Sequence, residues 1–95
     1  MIRAILYHDR QMFLASHLPG AIHFDLAGAE MALWFFCPCG CGTKSRISIG
    51  RDVKPTCTPS WEFRGTLNDP TLSPSVNQTL CGWHGWLRGG YWEAC

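Results

Sequence analysis

Three cysteines within five positions constrain this chain more than any other feature. They lie in the segment CPCGCG, residues 37–42, directly after the apolar run MALWFF. A second segment, CGWH, begins at Cys81 and ends at His84. Thiols crowded in this way are typical of a disulfide scaffold, a redox centre or part of a metal site.

The expected compartment favours the metal. The N-terminal residues contain one arginine and only a short apolar stretch before His8, which is too little for a signal peptide, so we expect the protein in the cytoplasm. Disulfides are rare in that reducing compartment, whereas thiolates that hold a divalent cation are common there. No run of about eighteen apolar residues is present, so we expect no membrane span.

The spacing predicts one zinc ion but leaves its ligands partly open. Cys81 and His84 lie three positions apart, the offset at which one turn directs two side chains to one ion. Cys37, Cys39 and Cys41 offer offsets of two and four, whereas a zinc ribbon has ligands three apart in C-P-x-C-G. Either of two cysteine pairs, 37 with 41 or 39 with 41, or all three together, could complete the site.

Two cysteines have no partner at ligand spacing. Cys57 stands between two threonines, and Cys95 is the last residue of the sequence. An isolated cysteine most often behaves as a small hydrophobic residue, so neither is expected to ligate the metal.

The pattern of apolar residues predicts a mainly β fold. Residues 44–49 and 60–65 alternate between apolar and polar side chains, whereas residues 29–37 are apolar on both faces and predict a central strand. Gly89-Gly90 suits the turn of a C-terminal hairpin, and the prolines of NDPTLSPS predict turns. Segments 1–7 and 12–18 could each be a strand or a helical turn. We expect a single zinc-stapled domain, residues 1–95, of short antiparallel strands.

Four segments together resemble an uncharacterised, zinc-ribbon-like domain family of bacteria and their phages. They are LPGAIHF, FFCPCGCG, PTLSPSV and CGWHGWLRGGYW, which cover residues 18–92. The resemblance implies a metal site drawn from Cys37, Cys39, Cys41, Cys81 and His84. It also implies a small accessory protein, encoded by a phage and acting in the host cytoplasm, and in some bacterial relatives the domain lies in gene clusters with ubiquitin-like modification proteins. It implies no activity.

The sequence predicts no enzyme. Five candidate ligands fill a closed zinc sphere, and the deaminase, zincin, G-x-S-x-G and phosphate-loop motifs are missing. Ser73 and Ser75, in LSPS, are interpreted as turn residues.

Two non-enzymatic roles are therefore expected. The first is a module that binds and modulates a host protein through aromatic and basic residues of the hairpin, which are Trp83, Trp86, Arg88, Tyr91 and Trp92. The alternative is a nucleic-acid-binding protein that uses Lys44, Arg46, Arg51 and Lys54. The formal net charge of +1 argues against nucleic-acid binding driven by the overall field of the protein.

Overall fold

The computed structural model describes residues 1–27 and 30–95. Within these ranges the chain forms nine strands and one short helix. In chain order they are β1 (Ile2–Arg3), α1 (Arg10–Ser16), β2 (Ile22–Asp25), β3 (Met31–Phe36), β4 (Lys44–Arg51), β5 (Trp61–Gly65), β6 (Pro70–Ser73), β7 (Val76–Gln78), β8 (Trp83–Arg88) and β9 (Tyr91–Ala94). No described helix has the length and apolar character that crossing a membrane requires.

The strands form two sheets, which confirms the prediction of a mainly β domain. One sheet has the order β2-β3-β4-β5-β6 and the other the order β1-β9-β8-β7. Neighbouring strands are antiparallel except β4 and β5, which run parallel. The C-terminal hairpin forms as predicted, with Arg88 opposite Tyr91 across Gly89-Gly90.

Residues 70–78 carry the chain from one sheet to the other. β6 pairs with β5 at the edge of the first sheet, and β7 pairs with β8 at the edge of the second. The prediction of turns in NDPTLSPS is therefore incomplete, because the segment also contains β6. Pro70 is tolerated as the first residue of this edge strand, where the missing N–H removes no ladder bond that the fold needs.

The prediction of a central strand at residues 29–37 is confirmed for its described part. Ala29 lies outside the described residues, and β3 runs between β2 and β4. Leu33 and Phe35 point into the main core, whereas Phe36 packs on Phe13 of α1 in a second cluster. Both faces of β3 are thus covered, which explains its uninterrupted apolar run.

The N-terminal segments differ from each other. Only Ile2–Arg3 of the first segment forms a strand, while the second becomes α1. The Asp9 side chain caps this helix by accepting hydrogen bonds from the main-chain N–H groups of Gln11 and Met12. The cap supplies partners for two of the N–H groups that the first turn of a helix leaves free.

Candidate active site and cysteine cluster

Four cysteines from two turns come together in space. Cys37, Cys39 and Cys41 lie in the turn between β3 and β4, and Cys81 lies in the turn between β7 and β8. The Sγ atom of Cys37 is 3.3 Å from that of Cys39 and 3.4 Å from that of Cys81. All four Sγ atoms lie within 4.8 Å of one another. The cluster therefore joins two turns that belong to different sheets.

The geometry of these thiols fits a metal ion. A tetrahedral zinc site with Zn–S bonds of about 2.3 Å separates its sulfur atoms by roughly 3.8 Å, close to the spacing found here. Burial raises the pKa of the Cys37 thiol, so without a cation this group would be held neutral. A hydrogen bond with Thr43 lowers the pKa of Cys41 to about 6, which favours its thiolate. The cluster could hold a metal through four sulfur atoms.

His84, a candidate ligand from the sequence, has a different neighbour. Its Nε2 atom lies 2.7 Å from Ser75 Oγ, and it is not among the residues whose ligand atoms form the cysteine group. Both side chains are accessible to solvent. With Nε2 unprotonated, the Ser75 hydroxyl donates to it, which is the contact by which a histidine activates a serine.

The pairing of β7 with β8 explains how this contact arises. Ser75 directly precedes β7, and His84 is the second residue of β8, opposite Asn77. Val76 and Gln78 point into the protein and are buried, so Ser75 and Asn77 project from the opposite, outer face. His84 projects from that face as well, because it stands directly across from Asn77.

A hydrogen bond from a tryptophan side chain holds the main chain of Ser75 in place. The indole N–H of Trp61, on β5, donates a 3.1 Å hydrogen bond to the carbonyl oxygen of Ser75. Within the described residues, the Ser75 N–H has no hydrogen-bond partner. A free main-chain donor therefore accompanies the hydroxyl–imidazole pair.

Comparison with family models finds one that fits nearly the whole chain. The model of BubE, described as a bacterial ubiquitination-like system serine protease, matches residues 9–95. The chain belongs to the BubE family. Comparisons with curated proteins and with solved structures give no significant match.

The family corrects two expectations. The prediction of a non-enzymatic role, either as a protein-binding module or as a nucleic-acid-binding protein, is wrong. The family to which the chain belongs is described as a serine protease family. The interpretation of Ser75 as a turn residue missed its contact with His84. The match does not confirm the resemblance to a zinc-ribbon-like domain family.

The signal for this pair in the sequence was weak. Ser75 and His84 are nine positions apart and belong to no motif with a fixed spacing. Only the register of β7 against β8 brings them together. The two prolines of NDPTLSPS indicate turns and so conceal the strand β6 that precedes Ser75.

The proposed partner-binding residues lie in different environments. Trp92 is 1% exposed, and Trp83 is partly buried against the main core. Trp86 is half-buried beneath the Arg88 guanidinium, and Tyr91 is exposed.

Two of the four basic residues proposed for nucleic-acid contact lie over aromatic rings of the protein. Lys44 lies over the Trp34 ring and Arg51 over the Phe63 ring, while Arg46 and Lys54 are exposed.

Proposed function

We propose that this protein is a serine protease in which Ser75 is the nucleophile and His84 the general base. The 2.7 Å contact between Ser75 Oγ and His84 Nε2 carries the proposal. A hydroxyl becomes an effective nucleophile at neutral pH only when a base at hydrogen-bond distance accepts its proton. Membership of the BubE family supports a protein of a bacterial ubiquitination-like system as the substrate.

The proposed reaction follows from these two side chains. His84 Nε2 takes the hydroxyl proton as Ser75 Oγ attacks the carbonyl carbon of the scissile bond. The resulting imidazolium then donates this proton to the leaving amine, and the acyl group stays on Ser75 as an ester. In the second half, His84 takes a proton from water, the resulting hydroxide attacks the ester, and Ser75 regains its proton.

The unpartnered N–H of Ser75 has a role in this scheme. Negative charge develops on the carbonyl oxygen when Oγ attacks, and a main-chain N–H directed at that oxygen stabilises it. The bond from Trp61 to the Ser75 carbonyl keeps the main chain of the nucleophile oriented.

The proposed metal at the cysteine cluster is a structural zinc. Cys37, Cys39, Cys41 and Cys81 would complete a four-thiolate shell, which is closed and leaves no position for a substrate. When bound, the ion would cross-link the two turns and would take no part in catalysis. Its expected stoichiometry, one zinc per chain, can be measured by elemental analysis of purified protein.

A small fluorophosphonate tests the catalytic pair without knowledge of the substrate. This probe reacts only with an activated serine: Oγ attacks phosphorus, fluoride leaves, and the base takes the hydroxyl proton. We expect covalent labelling of the wild-type protein at Ser75, found by mass spectrometry of the intact chain and its peptides. Ser75→Ala abolishes labelling, and His84→Ala slows it by at least about a hundredfold.

Ser73→Ala is the matched control, since Ser73 is an exposed serine two positions away. It should label at the wild-type rate. Labelling that survives in Ser75→Ala, or that is unchanged in His84→Ala while circular dichroism shows a native fold, would falsify the assignment.

A further inference from the structure

The two sheets leave an open slot between β4 and β7. β7 is the last strand of its sheet, and β4 pairs with β5 only through residues 49–51. The part of β4 that precedes this pairing therefore has a neighbour on one side only, which is β3. The slot is bounded at one end by the cysteine cluster and at the other by Trp61, the first residue of β5.

The main chain of β7 directs hydrogen-bonding groups into this slot. Antiparallel pairs alternate between residues that exchange two hydrogen bonds and residues that exchange none. Across β8 and β9, the Cys95 N–H bonds to the His84 carbonyl, so His84 uses its main chain toward β9. Asn77, which stands opposite His84, must then direct its N–H and carbonyl away from β8. Within the described residues, neither group has a partner.

The main chain of β4 presents the same arrangement from the other side. The Cys37 N–H bonds to the Thr43 carbonyl, so odd-numbered residues of β4 use their main chain toward β3. Arg46 therefore directs its N–H and carbonyl away from β3 and toward the slot. The described part of the chain supplies no partner for these groups either.

β4 and β7 are too far apart to pair, yet close enough for two of their side chains to meet. No Cα atom of β4 lies within 8 Å of a Cα atom of β7, so the strands do not pair directly. Even so, the side chains of Ser45 and Gln78 meet across the slot, with Ser45 Oγ 2.9 Å from Gln78 Oε1 and 2.7 Å from Gln78 Nε2. The contact between these two side chains limits the separation of β4 and β7, and a strand inserted between two others needs about 9.6 Å, twice the usual spacing.

We propose that an extended peptide substrate binds as an added strand in this slot, through main-chain hydrogen bonds to Asn77 on β7 and Arg46 on β4. This inference rests on the proposed protease function. The Ser45–Gln78 pair lies on the inner side of the slot, since Gln78 is buried, and it confines the peptide to the outer side. Trp61 blocks the far end beside Ser75, so the peptide leaves the slot there and passes the nucleophile on the outer face. The slot recognises main chain and thus selects an unfolded, extended segment over a folded surface.

Labelling rates with two kinds of phosphonate test the proposal. One is the small fluorophosphonate; the other is a set of tripeptidyl diphenyl phosphonates with Gly, Ala, Leu, Phe, Lys or Glu next to phosphorus. In both cases Ser75 Oγ displaces the leaving group, fluoride or phenolate, from phosphorus. Two or three main-chain hydrogen bonds should make the best peptidyl probe label at least about tenfold faster than a phosphonate with the same leaving group and no peptide.

The decisive variant removes one main-chain donor at the edge. Asn77→Pro lacks the N–H that faces the slot and breaks no internal bond, because that N–H has no partner among the described residues. It should lose the peptidyl advantage while the small fluorophosphonate labels at a rate close to wild type. Asn77→Ala, which keeps the N–H, should retain both rates. An advantage that persists in Asn77→Pro overturns the proposal.

Amide hydrogen exchange gives an independent readout on the wild-type chain, should Asn77→Pro fail to fold. In the free protein, the amides of Asn77 and Arg46 should exchange faster than those of Val76 and Gln78, which bond to β8. Labelling with the best peptidyl probe should protect Asn77 and Arg46, and the small probe should not. If no peptidyl probe outpaces the phosphonate that has the same leaving group and no peptide, or if the two amides stay unprotected, the slot is not the substrate site. Failure of even the fluorophosphonate to label Ser75 would instead reject the protease function.

Discussion

At the scale of single residues, the aromatic side chains of the hairpin divide by strand face. Trp92 is buried against Phe35, with ring centroids 4.9 Å apart, and its indole N–H donates a 2.9 Å hydrogen bond to the Gly20 carbonyl. Trp86, from the adjacent strand, points to the other face and carries the Arg88 guanidinium on its ring. One tryptophan therefore stabilises the core, while the other covers a surface.

Trp92→Phe tests this division. The change removes the hydrogen bond, leaves the Gly20 carbonyl unpaired and opens a cavity, so we expect a loss of about 2–3 kcal/mol in the free energy of unfolding. The matched change Trp86→Phe removes a half-buried indole and should cost less than about 1 kcal/mol. Urea denaturation of both variants measures the difference. Equal losses would contradict the assignment of Trp92 to the core.

At the scale of elements, the β8–β9 hairpin is tied to the N-terminal strand through Arg3. The Arg3 guanidinium lies 2.7 Å from the Asp69 carboxylate, donates a 2.9 Å hydrogen bond to the Asn68 carbonyl, and sits over the Tyr91 ring. It also fills the space beside Gly90, where a Cβ atom would collide with it. The turn thus needs glycine at this position for two reasons, since Gly90 also has φ +83°.

Gly90→Ala should therefore destabilise more than Gly89→Ala. Both glycines have positive φ, and an alanine in that region costs about 1 kcal/mol. A Cβ at Gly89 meets nothing within 4 Å, whereas one at Gly90 displaces Arg3 and its contacts, which brings the expected loss to about 2–3 kcal/mol. Thermal unfolding of the two variants separates these contributions. Similar melting temperatures would show that Arg3 adjusts without cost.

The sequence predicts those elements in which the local pattern of apolar and polar residues matches the burial of the residues in the folded protein. β4 and β5 alternate because one face of each is buried, and Gly89-Gly90 marks a hairpin by its backbone freedom alone. β6 and β7 escape prediction because Pro70 in β6 and Pro74 between the two strands indicate turns. Both are also short strands held mainly by pairing with other strands. The Ser75–His84 contact depends on that same pairing, so it could not be predicted from spacing. The cysteine cluster could be predicted, because three cysteines within five positions indicate a metal site whatever fold surrounds them.

At the scale of the whole molecule, the cysteine cluster and the proposed active site are parts of one structure. Cys81 lies in the turn that joins β7 to β8, and these strands position Ser75 and His84. The other three cysteines connect that turn to β4, on the far side of the slot. A metal at the cluster would therefore set both the register of the catalytic pair and the width of the slot.

Cys81→Ser should consequently reduce the reactivity of Ser75, although Cys81 takes no part in the proposed chemistry. Loss of one thiolate releases the metal and frees the β7–β8 turn, so Ser75 and His84 lose their fixed separation. Since a displacement of about 1 Å can cost roughly a hundredfold in rate, fluorophosphonate labelling of Ser75 should fall by at least tenfold, together with a lower melting temperature and loss of the bound zinc. Cys57→Ser, which removes an exposed thiol outside the four-cysteine group, should change none of the three. Treatment of the wild-type protein with a strong chelator should reproduce the Cys81→Ser result, and full labelling by the metal-free protein would show that the cluster and the catalytic pair are independent.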